Sequence, residues 1–418
     1  EDVPHVIVDC GSDTIRLGRV GETQPLLTTP SQVGILPAST DPIIGMDQLS
    51  KFTEGISYKQ IIDQDGYIYD FELFSKMLEK GQNKNFDAGV FLSEPAIHRK
   101  ENRTKLAEII FEKLSYQMMF VSKAPVLSSF SMGLTTSLVF DSGENSTYAV
   151  PIHDGYVNQR AVFKSKVAGK VLTEGLQKYL KSQNLEILPE SILKAEDPEM
   201  VKEKLLEEDF QESAYRFHIN RILKGIKKDM LELNLEPLTK RDSSYMFEDK
   251  SYSLPDGNSI TMKGDQFKIP EILFLSECSK SEEGKKNDVD GDAEMMEDDA
   301  YGSKLQGFNG FQNLLQKSVN AADLDIRRDL YKHVLCTGGN TRLKGFEERF
   351  KMEIEGIAPQ NCPVNLMKKR SPRSNNEEIY TSFIGASILA SLSSFQAMWF
   401  TRKEYEENGA HYIEEKCP

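Results

Sequence analysis

The sequence predicts a layered α/β fold, and three observations support that prediction. Apolar β-like runs alternate with amphipathic helical runs along most of the chain. Two predicted hairpins repeat an Asp-x-Gly turn, at 9–11 and at 141–143. A third turn, the glycine pair of "TGGNT" at 337–341, joins a β-like run to a helical one. The 418 residues suffice for two domains or for one large body with two lobes.

The elements follow one another in a regular order. "HVIVDCG" and "DTIRLGRVG" predict a first hairpin, and "TSLVFDSG" with "TYAVPIHDGYV" predicts a second. Apolar residues three or four positions apart predict helices at 101–114, at 170–182 and, in a highly charged region, at 197–233. A strand, a glycine turn and a helix follow at 331–354. The small-residue-rich run 383–400 predicts a buried helix, because its Ser and Gly residues and the charged tail after it argue against a membrane span.

The composition excludes several classes of function. A content of 39% hydrophobic and 28% charged residues is typical of an ordinary soluble globular protein. The net charge of −14 argues against broad DNA binding, which needs a basic face, and we expect no sequence-specific DNA contact. Five widely spaced cysteines without a C-x-x-C pair fit a reducing interior rather than disulfides or a zinc site. The first residues lack the layout of a signal peptide.

One segment interrupts the α/β pattern. Residues 278–304 are acidic, interrupted by Gly and Ser and poor in large aliphatic residues, so we predict a mobile surface insertion. Its stretch "NDVDGDAEMMED" resembles a calcium loop in composition only. The glycine is not at the sixth position and no glutamate stands at the twelfth, which argues against a calcium site.

The repeated Asp-x-Gly turn indicates chemistry as well as shape. Small residues let backbone N–H groups converge on an anion, and an aspartate at each strand end can hold Mg²⁺, mostly through its water shell. Asp9 and Asp141 are therefore the candidate metal residues. A single such turn is more often a plain hairpin closed by an Asx turn. Two of them, followed by the strand, glycine pair and helix, favour a clamp around the phosphates of a nucleotide.

At these residues the sequence resembles the actin family, over nearly its whole length. The similar blocks are "DCGSDTIRLG", "DSGENSTYAVPIHDGY" and three long stretches at 254–274, 324–350 and 384–409. The resemblance implies an actin-like ATPase fold, with two lobes that each contain a ribonuclease-H-like core around a nucleotide cleft. It places residues 1–128 and 330–418 in the first lobe and residues 129–329 in the second.

The resemblance also implies which residues bind ATP. They lie in the two turns, before the helix at 170–182, in "GIKKDM" and its neighbour, and at the glycine pair. They are Asp9, Gly11, Ser12, Asp13, Thr14, Arg16, Asp141, Ser142, Gly143, Glu144, Asn145, Gly169, Lys224, Lys227, Gly338, Gly339 and Asn340. Lys224 and Lys227 are candidate contacts to the base and ribose, and a solvated basic helix face is the alternative for them.

The residues for hydrolysis depart from the family pattern. Actins position the attacking water with a glutamine and a histidine, and an ungapped alignment puts Ala124 and Tyr148 in their places. Neither side chain is suited to orienting or deprotonating water. Arg16 replaces a lysine of the first turn, and Asp13 and Asn145 stand where glycines are usual. We therefore expect a structural ATP with slow or absent turnover, and no enzyme function.

Further stretches resemble the nuclear branch of the family, whose members are actin-like subunits of chromatin-remodelling and histone acetyltransferase complexes. They include "FVSKAPVLSSF", residues 162–192 and the ending "IEEKCP". The implied partners are monomeric actin, a helical scaffold domain and histones, and "MKKRSPR" (367–373) is a candidate nuclear-import signal or a solvated loop. There is little room for a long loop between "VGILPASTDPIIG" and "QIIDQDGYIYDF", and the acidic insertion 278–304 interrupts a second-lobe stretch; both departures from the family disfavour a filament. A slow cytoskeletal ATPase and a sugar kinase or chaperone ATPase of the same fold remain alternatives.

Overall fold

The computed structural model describes residues 5–37, 39, 41–51, 53, 55–81, 89–189, 209–238, 247–275, 307–367 and 380–418. The acidic segment 278–304, most of "MKKRSPR" and the first part of the charged helical region lie outside the described residues. In the described part of the chain no helix is both long and apolar enough to cross a bilayer.

The described strands form two large sheets and two small hairpin sheets. They are β1 (Val6–Cys10), β2 (Thr14–Arg19), β3 (Leu27–Pro30), β4 (Gln32–Ile35), β5 (Ser57–Gln60), β6 (Gly89–Glu94), β7 (Met118–Lys123), β8 (Ser137–Ser142), β9 (Thr147–His153), β10 (Tyr156–Val157), β11 (Phe163–Ser165), β12 (Lys250–Ser253), β13 (Ser259–Met262), β14 (Val334–Thr337), β15 (Leu366–Met367) and β16 (Phe400–Thr401).

The described helices lie between these strands and around the sheets. They are α1 (Met46–Leu49), α2 (Phe71–Gly81), α3 (Lys100–Glu108) with a π-helical turn (Ile109–Lys113), α4 (Ala124–Ser131), α5 (Gly169–Ser182), α6 (Asp209–Met230), α7 (Asp265–Glu271), α8 (Phe311–Ala321), α9 (Leu324–Lys332), α10 (Phe346–Ile357), α11 (Thr381–Ala390), α12 (Arg402–Asn408) and α13 (Ile413–Lys416).

The two large sheets share one plan. In the first, β1, β2 and β3 form an antiparallel meander, and β6 and β7 continue the sheet in parallel beside β1. In the second, β8 and β9 form the hairpin, and β14 and β15 continue in parallel beside β8. Each Asp-x-Gly turn therefore follows the central strand of its sheet, at the carboxyl edge where open α/β sheets bind ligands. The predicted α/β architecture with two cores is confirmed.

The predicted lobe boundary at 330 is wrong. β14 pairs in parallel with β8, with Val334 opposite Leu138 and Thr337 opposite Asp141. The helix α10 also packs in the second core, where Phe350 lies 4.5 Å from Phe140 between ring centroids. The chain therefore returns to the first core only later, with α11. A parallel neighbour has to come from a distant crossover, so hairpin patterns could not reveal it.

The predicted buried helix at 383–400 is confirmed only in part. α11 ends at Ala390, and a 3₁₀-helix (Ser393–Met398) follows. α11 packs closely along α4, and a Cβ at Gly385 would collide with the backbone carbonyl of Leu127. Ile388 of α11 and Leu392 and Met398 after it are exposed, while Phe395 and Trp399 of the same stretch are buried in the first core.

Candidate functional site

The first turn holds its aspartate rigidly at the end of β1. The Gly11 N–H donates to the Thr14 carbonyl across the turn (3.0 Å). The carboxylate of Asp9 is buried and accepts hydrogen bonds from Arg16 Nη1 (2.8 Å) and Ser93 Oγ (2.7 Å). Ser93 also accepts the backbone N–H of Cys10 (2.9 Å). The two oxygens of Asp9 are thus fixed from two strands of the first sheet.

The second turn repeats this closure in the other sheet. The Gly143 N–H donates to the Ser146 carbonyl at the same distance, 3.0 Å. Ser142 is fully buried and lies behind the turn, 2.9 Å from Thr147 Oγ1. Asn340 Nδ2 donates to Ser142 Oγ (3.0 Å) and to the Gly143 carbonyl (2.6 Å), so the glycine-pair turn braces the second Asp-x-Gly turn.

Of the glycine pair, Gly338 is required, both because the second turn approaches it closely and because of its own backbone conformation. Gly338 has φ +93°, in the left-handed region. A Cβ there would lie 2.7 Å from Asp141 Oδ1 and would collide with the carbonyl of Ser142. A Cβ on Gly339, by contrast, would meet only open space. The pair lets the loop after β14 lie against the second turn and leaves room beside it.

Both turns and the glycine pair face one cavity of about 550 Å³ between the two lobes. Most predicted site residues line it: Asp9, Gly11, Ser12, Asp13, Thr14, Arg16, Asp141, Gly143, Glu144, Lys224, Lys227, Gly338, Gly339 and Asn340. Ser142 and Gly169 lie just behind the wall. Asn145 lines a neighbouring cavity of about 410 Å³ at the mouth of the cleft, which shares Asp13 and Glu144 with the first.

Asp141 has the electrostatic environment of a cation site. Burial, together with the negative charge of Asp9, raises the pKa of Asp141 from 3.8 to about 6, while Arg16 opposes the shift. The carboxylate accepts no hydrogen bond from the described residues. A divalent cation between Asp9 and Asp141 would relieve both effects. Within the described ranges no group of three or more His, Cys, Asp or Glu converges to hold a metal, so Mg²⁺ would bind here largely through water and ligand oxygens.

Arg16 fits an anionic ligand. Its Nη1 is used by Asp9, but its Nε is buried and has no hydrogen-bond partner among the described residues. A buried donor without a partner costs about 1–3 kcal/mol. Phosphate oxygens in the cavity would supply the missing acceptor.

The two lysines of α6 both line the cavity and both bind protein groups there. Lys227 Nζ donates to Glu144 Oε2 (3.0 Å), to the Gly169 carbonyl (2.9 Å) and to Thr173 Oγ1 (3.0 Å). An ammonium group has three donors, so protein acceptors engage all of those of Lys227, and its contact to a base or ribose stays a prediction. Lys227 braces the second turn against α5.

Lys224 links the two lobes. Its Nζ donates to Asp13 of the first turn and lies 3.7 Å from Glu144 Oε1 of the second. Burial alone would lower the pKa of Lys224, but the charges of Asp13 and Glu144 outweigh it and raise the pKa. Lys224 therefore stays protonated and ties the turns together. The pair neutralises the negative charge that Asp13 brings into the first turn.

Ala124 and Tyr148 both line the cavity, at the places predicted for the water-positioning groups. Ala124 begins α4 and offers only a methyl group. Tyr148 is buried, and burial raises the pKa of its hydroxyl well above the usual range. The hydroxyl donates to the backbone carbonyl of Asp65 (3.4 Å). A tyrosine that stays protonated and has its proton directed at protein cannot act as a general base.

The sequence reasoning missed several residues of the site, among them Ser93, Asp65 and Gly66. Ser93 holds Asp9, but a single serine at the end of a strand gives no signal. Asp65 and Gly66 also line the cavity. They belong to "DQDGY", a further Asp-Gly turn between apolar runs, and this pattern could have identified them.

A family model described as Actin matches residues 1–418. The chain belongs to the actin family. Among its curated relatives, Actin-related protein 4 of Arabidopsis thaliana is 30% identical over 458 residues, which cover 100% of this chain and 99% of the relative. Actin-related protein 4 of Oryza sativa subsp. indica is 30% identical over 459 residues, with the same coverage. These relatives confirm the predicted actin-related branch, and membership of the family implies nucleotide binding.

Proposed function

We propose that this actin-family chain is a structural subunit that binds ATP with Mg²⁺ and does not hydrolyse it efficiently. The observation that carries the proposal is a cavity that both Asp-x-Gly turns face and that Ala124 and Tyr148, the residues which the family resemblance aligns with the water-positioning groups, also line. Asp9 and Asp141 would hold the metal through water, and Arg16 and the turn N–H groups would bind phosphate oxygens. The bound metal would neutralise phosphate charge, and the protein's own groups orient the ligand and close the cleft.

A ligand that is not turned over still contributes to stability. Binding to the native state alone stabilises it by RT ln(1 + [L]/Kd), about 4 kcal/mol at a thousandfold excess over Kd. The cavity lies between the two cores, so a nucleotide there would hold both lobes. Stabilisation of the subunit is a sufficient reason to keep the site.

The test combines nucleotide content with phosphate release. We expect the purified protein to release bound ATP on acid denaturation, and to release phosphate at a rate well below that of actin. Asp9→Asn should lower nucleotide content. Turnover at actin-like rates that is abolished by Asp9→Asn would contradict the structural role.

We further propose that the chain acts in nuclear chromatin-remodelling or histone acetyltransferase complexes. There it would bind a helical scaffold domain together with monomeric actin, and contact histones through acidic surface. The relatives named Actin-related protein 4 support this assignment. Ile388 of α11 and Leu392 and Met398 after it are exposed apolar side chains that suit the apolar stripe of a scaffold helix. The acidic insertion and the shortened connection disfavour a filament.

Affinity capture followed by mass spectrometry tests the assembly role. We expect remodelling or acetyltransferase subunits and actin monomer to be captured from a nuclear extract. Leu392→Asp should abolish capture of the scaffold and leave nucleotide content unchanged. A polymer that sediments in salt and magnesium, or capture of cytoskeletal partners alone, would favour the cytoskeletal alternative.

A further inference from the structure

The loop that carries Asp65 is fixed before it meets the other lobe. The Asp63 carboxylate accepts the backbone N–H groups of Asp65 and Tyr67 (2.9 Å each), and the Asp63 N–H donates to the Tyr67 carbonyl (2.8 Å). Gly66 adopts φ +95° at the tip. The loop thus presents the Asp65 side chain in one orientation, at the wall of the main cavity.

Asp65 is paired with one cation from each lobe. In its own lobe, Arg99 Nη2 donates to Asp65 Oδ2 (2.9 Å), and the Arg99 guanidinium lies 3.9 Å from the ring centroid of Tyr67. From the second lobe, Lys164 Nζ donates to Asp65 Oδ1 (2.6 Å). Lys164 lies in β11, which pairs with β9 of the second sheet.

Tyr148 contacts both residues of the Asp65–Lys164 ion pair. Lys164 and Tyr148 are register partners on β11 and β9, and the Lys164 ammonium lies 5.3 Å from the tyrosine ring centroid. The Tyr148 hydroxyl reaches the carbonyl of Asp65. The same tyrosine therefore supports the cation of the ion pair and contacts the loop that carries its anion.

We propose that Asp65, Arg99, Lys164 and Tyr148 form an interlobe clasp that holds the cleft closed by contacts of the protein itself. In this interpretation Tyr148 is a positioning residue of the clasp. The clasp borders the cavity and joins the two lobes, so any parting of the lobes at this wall has to break it. A closed cleft then does not require the nucleotide, and release of the nucleotide is limited by opening of the clasp. The last consequence rests on the proposed function, whereas closure of the lobes does not.

The experiment measures closure and release separately, on the full chain. The variant Lys164→Met removes the interlobe charge and keeps the length of the side chain. Lys332→Met is the matched control, because Lys332 forms an exposed ion pair with Asp329 within one helix. Lys164→Arg restores the charge. Small-angle scattering of the nucleotide-stripped proteins gives the radius of gyration, and displacement of a fluorescent etheno-ATP by excess ATP gives the release rate.

We expect Lys164→Met to enlarge the stripped protein and to speed release at least tenfold, while Lys164→Arg and Lys332→Met resemble the wild type. Asp65→Asn combined with Lys164→Met should add little to Lys164→Met alone, because both changes break one contact. A Lys164→Met protein as compact as the wild type would overturn the clasp. Failure of the wild type to bind etheno-ATP would overturn the nucleotide site, and the scattering comparison would still decide on the clasp.

Discussion

Asp9 and Asp141 end equivalent strands in opposite lobes, and their carboxylates face the same cavity. The charge of Asp9 adds to burial in raising the pKa of Asp141 to about 6. The first carboxylate is fixed by Arg16 and Ser93, while the second has no such partner. The two turns therefore have the same backbone hydrogen bond, but their aspartates lie in different electrostatic environments.

This asymmetry predicts that the free energy of unfolding depends on pH when neither metal nor nucleotide is bound. The pKa of Asp141 is raised on folding, so between about pH 4 and pH 6 the native state binds more protons than the unfolded state. The raised pKa of Asp141 therefore stabilises the native state in full below pH 4. This stabilisation, up to about 3 kcal/mol, is lost as the pH rises through 6. Asp141→Asn should remove this loss. Urea unfolding in EDTA from pH 4 to 7.5 measures it, and equal slopes for both proteins would contradict it.

The close approach at Gly338 predicts that alanine substitutions at two glycines of positive φ, Gly338 and Gly257, differ in their effect on ATP affinity. Gly338→Ala strains a residue at φ +93° and drives a Cβ into the second turn, so we expect a loss of at least tenfold in ATP affinity and about 1–3 kcal/mol of stability. Gly257→Ala has a similar φ of +86° but meets open space. It should cost stability alone. Isothermal titration with ATP separates them, and equal affinities would show that the close approach is unimportant.

Among the substitutions proposed here, we expect removal of the buried arginine of α10, Arg349, to lower stability the most. Arg349 is bidentate to Glu271 (2.7 and 3.0 Å) and also donates to Glu353 Oε1 (2.7 Å). Arg349→Met strands a buried carboxylate and should cost about 3–5 kcal/mol. Arg216→Met removes an exposed pair with Glu212 on α6 and should cost less than about 1 kcal/mol. Urea unfolding measures both, and similar midpoints would refute the argument.

The environment of the Cys10 thiol, next to Asp9, predicts slow alkylation. Burial, helped by the charge of Asp9, raises the pKa of Cys10 far above its usual range. The thiolate is the reactive form, so iodoacetamide at pH 8 should modify Cys10 at least tenfold more slowly in the native protein than in urea. Peptide mass spectrometry gives both rates on the same residue. Comparable rates would contradict a raised pKa of Cys10 in the native protein.

Much of the site could be predicted because its signals are local. Asp9 to Thr14 and Asp141 to Ser146 close turns within a few residues, and Gly338 needs a conformation that few other residues adopt. The side-chain partners could not be predicted. The sequence predicts Lys227 as a ligand contact but does not show its three protein acceptors, which lie 54 to 83 residues away along the chain.

By itself the sequence determined the hairpins, the helical faces, the repeated acid–glycine turn and the family, because each depends on backbone preferences or residue order over short stretches. Only the tertiary structure decided that β14 belongs to the second sheet, that α11 ends at Ala390 and that Asp65 meets Lys164, 99 residues away. Periodicity shows which face of an element is buried. Which distant charges then meet is fixed by how the two cores pack, and that information is not local.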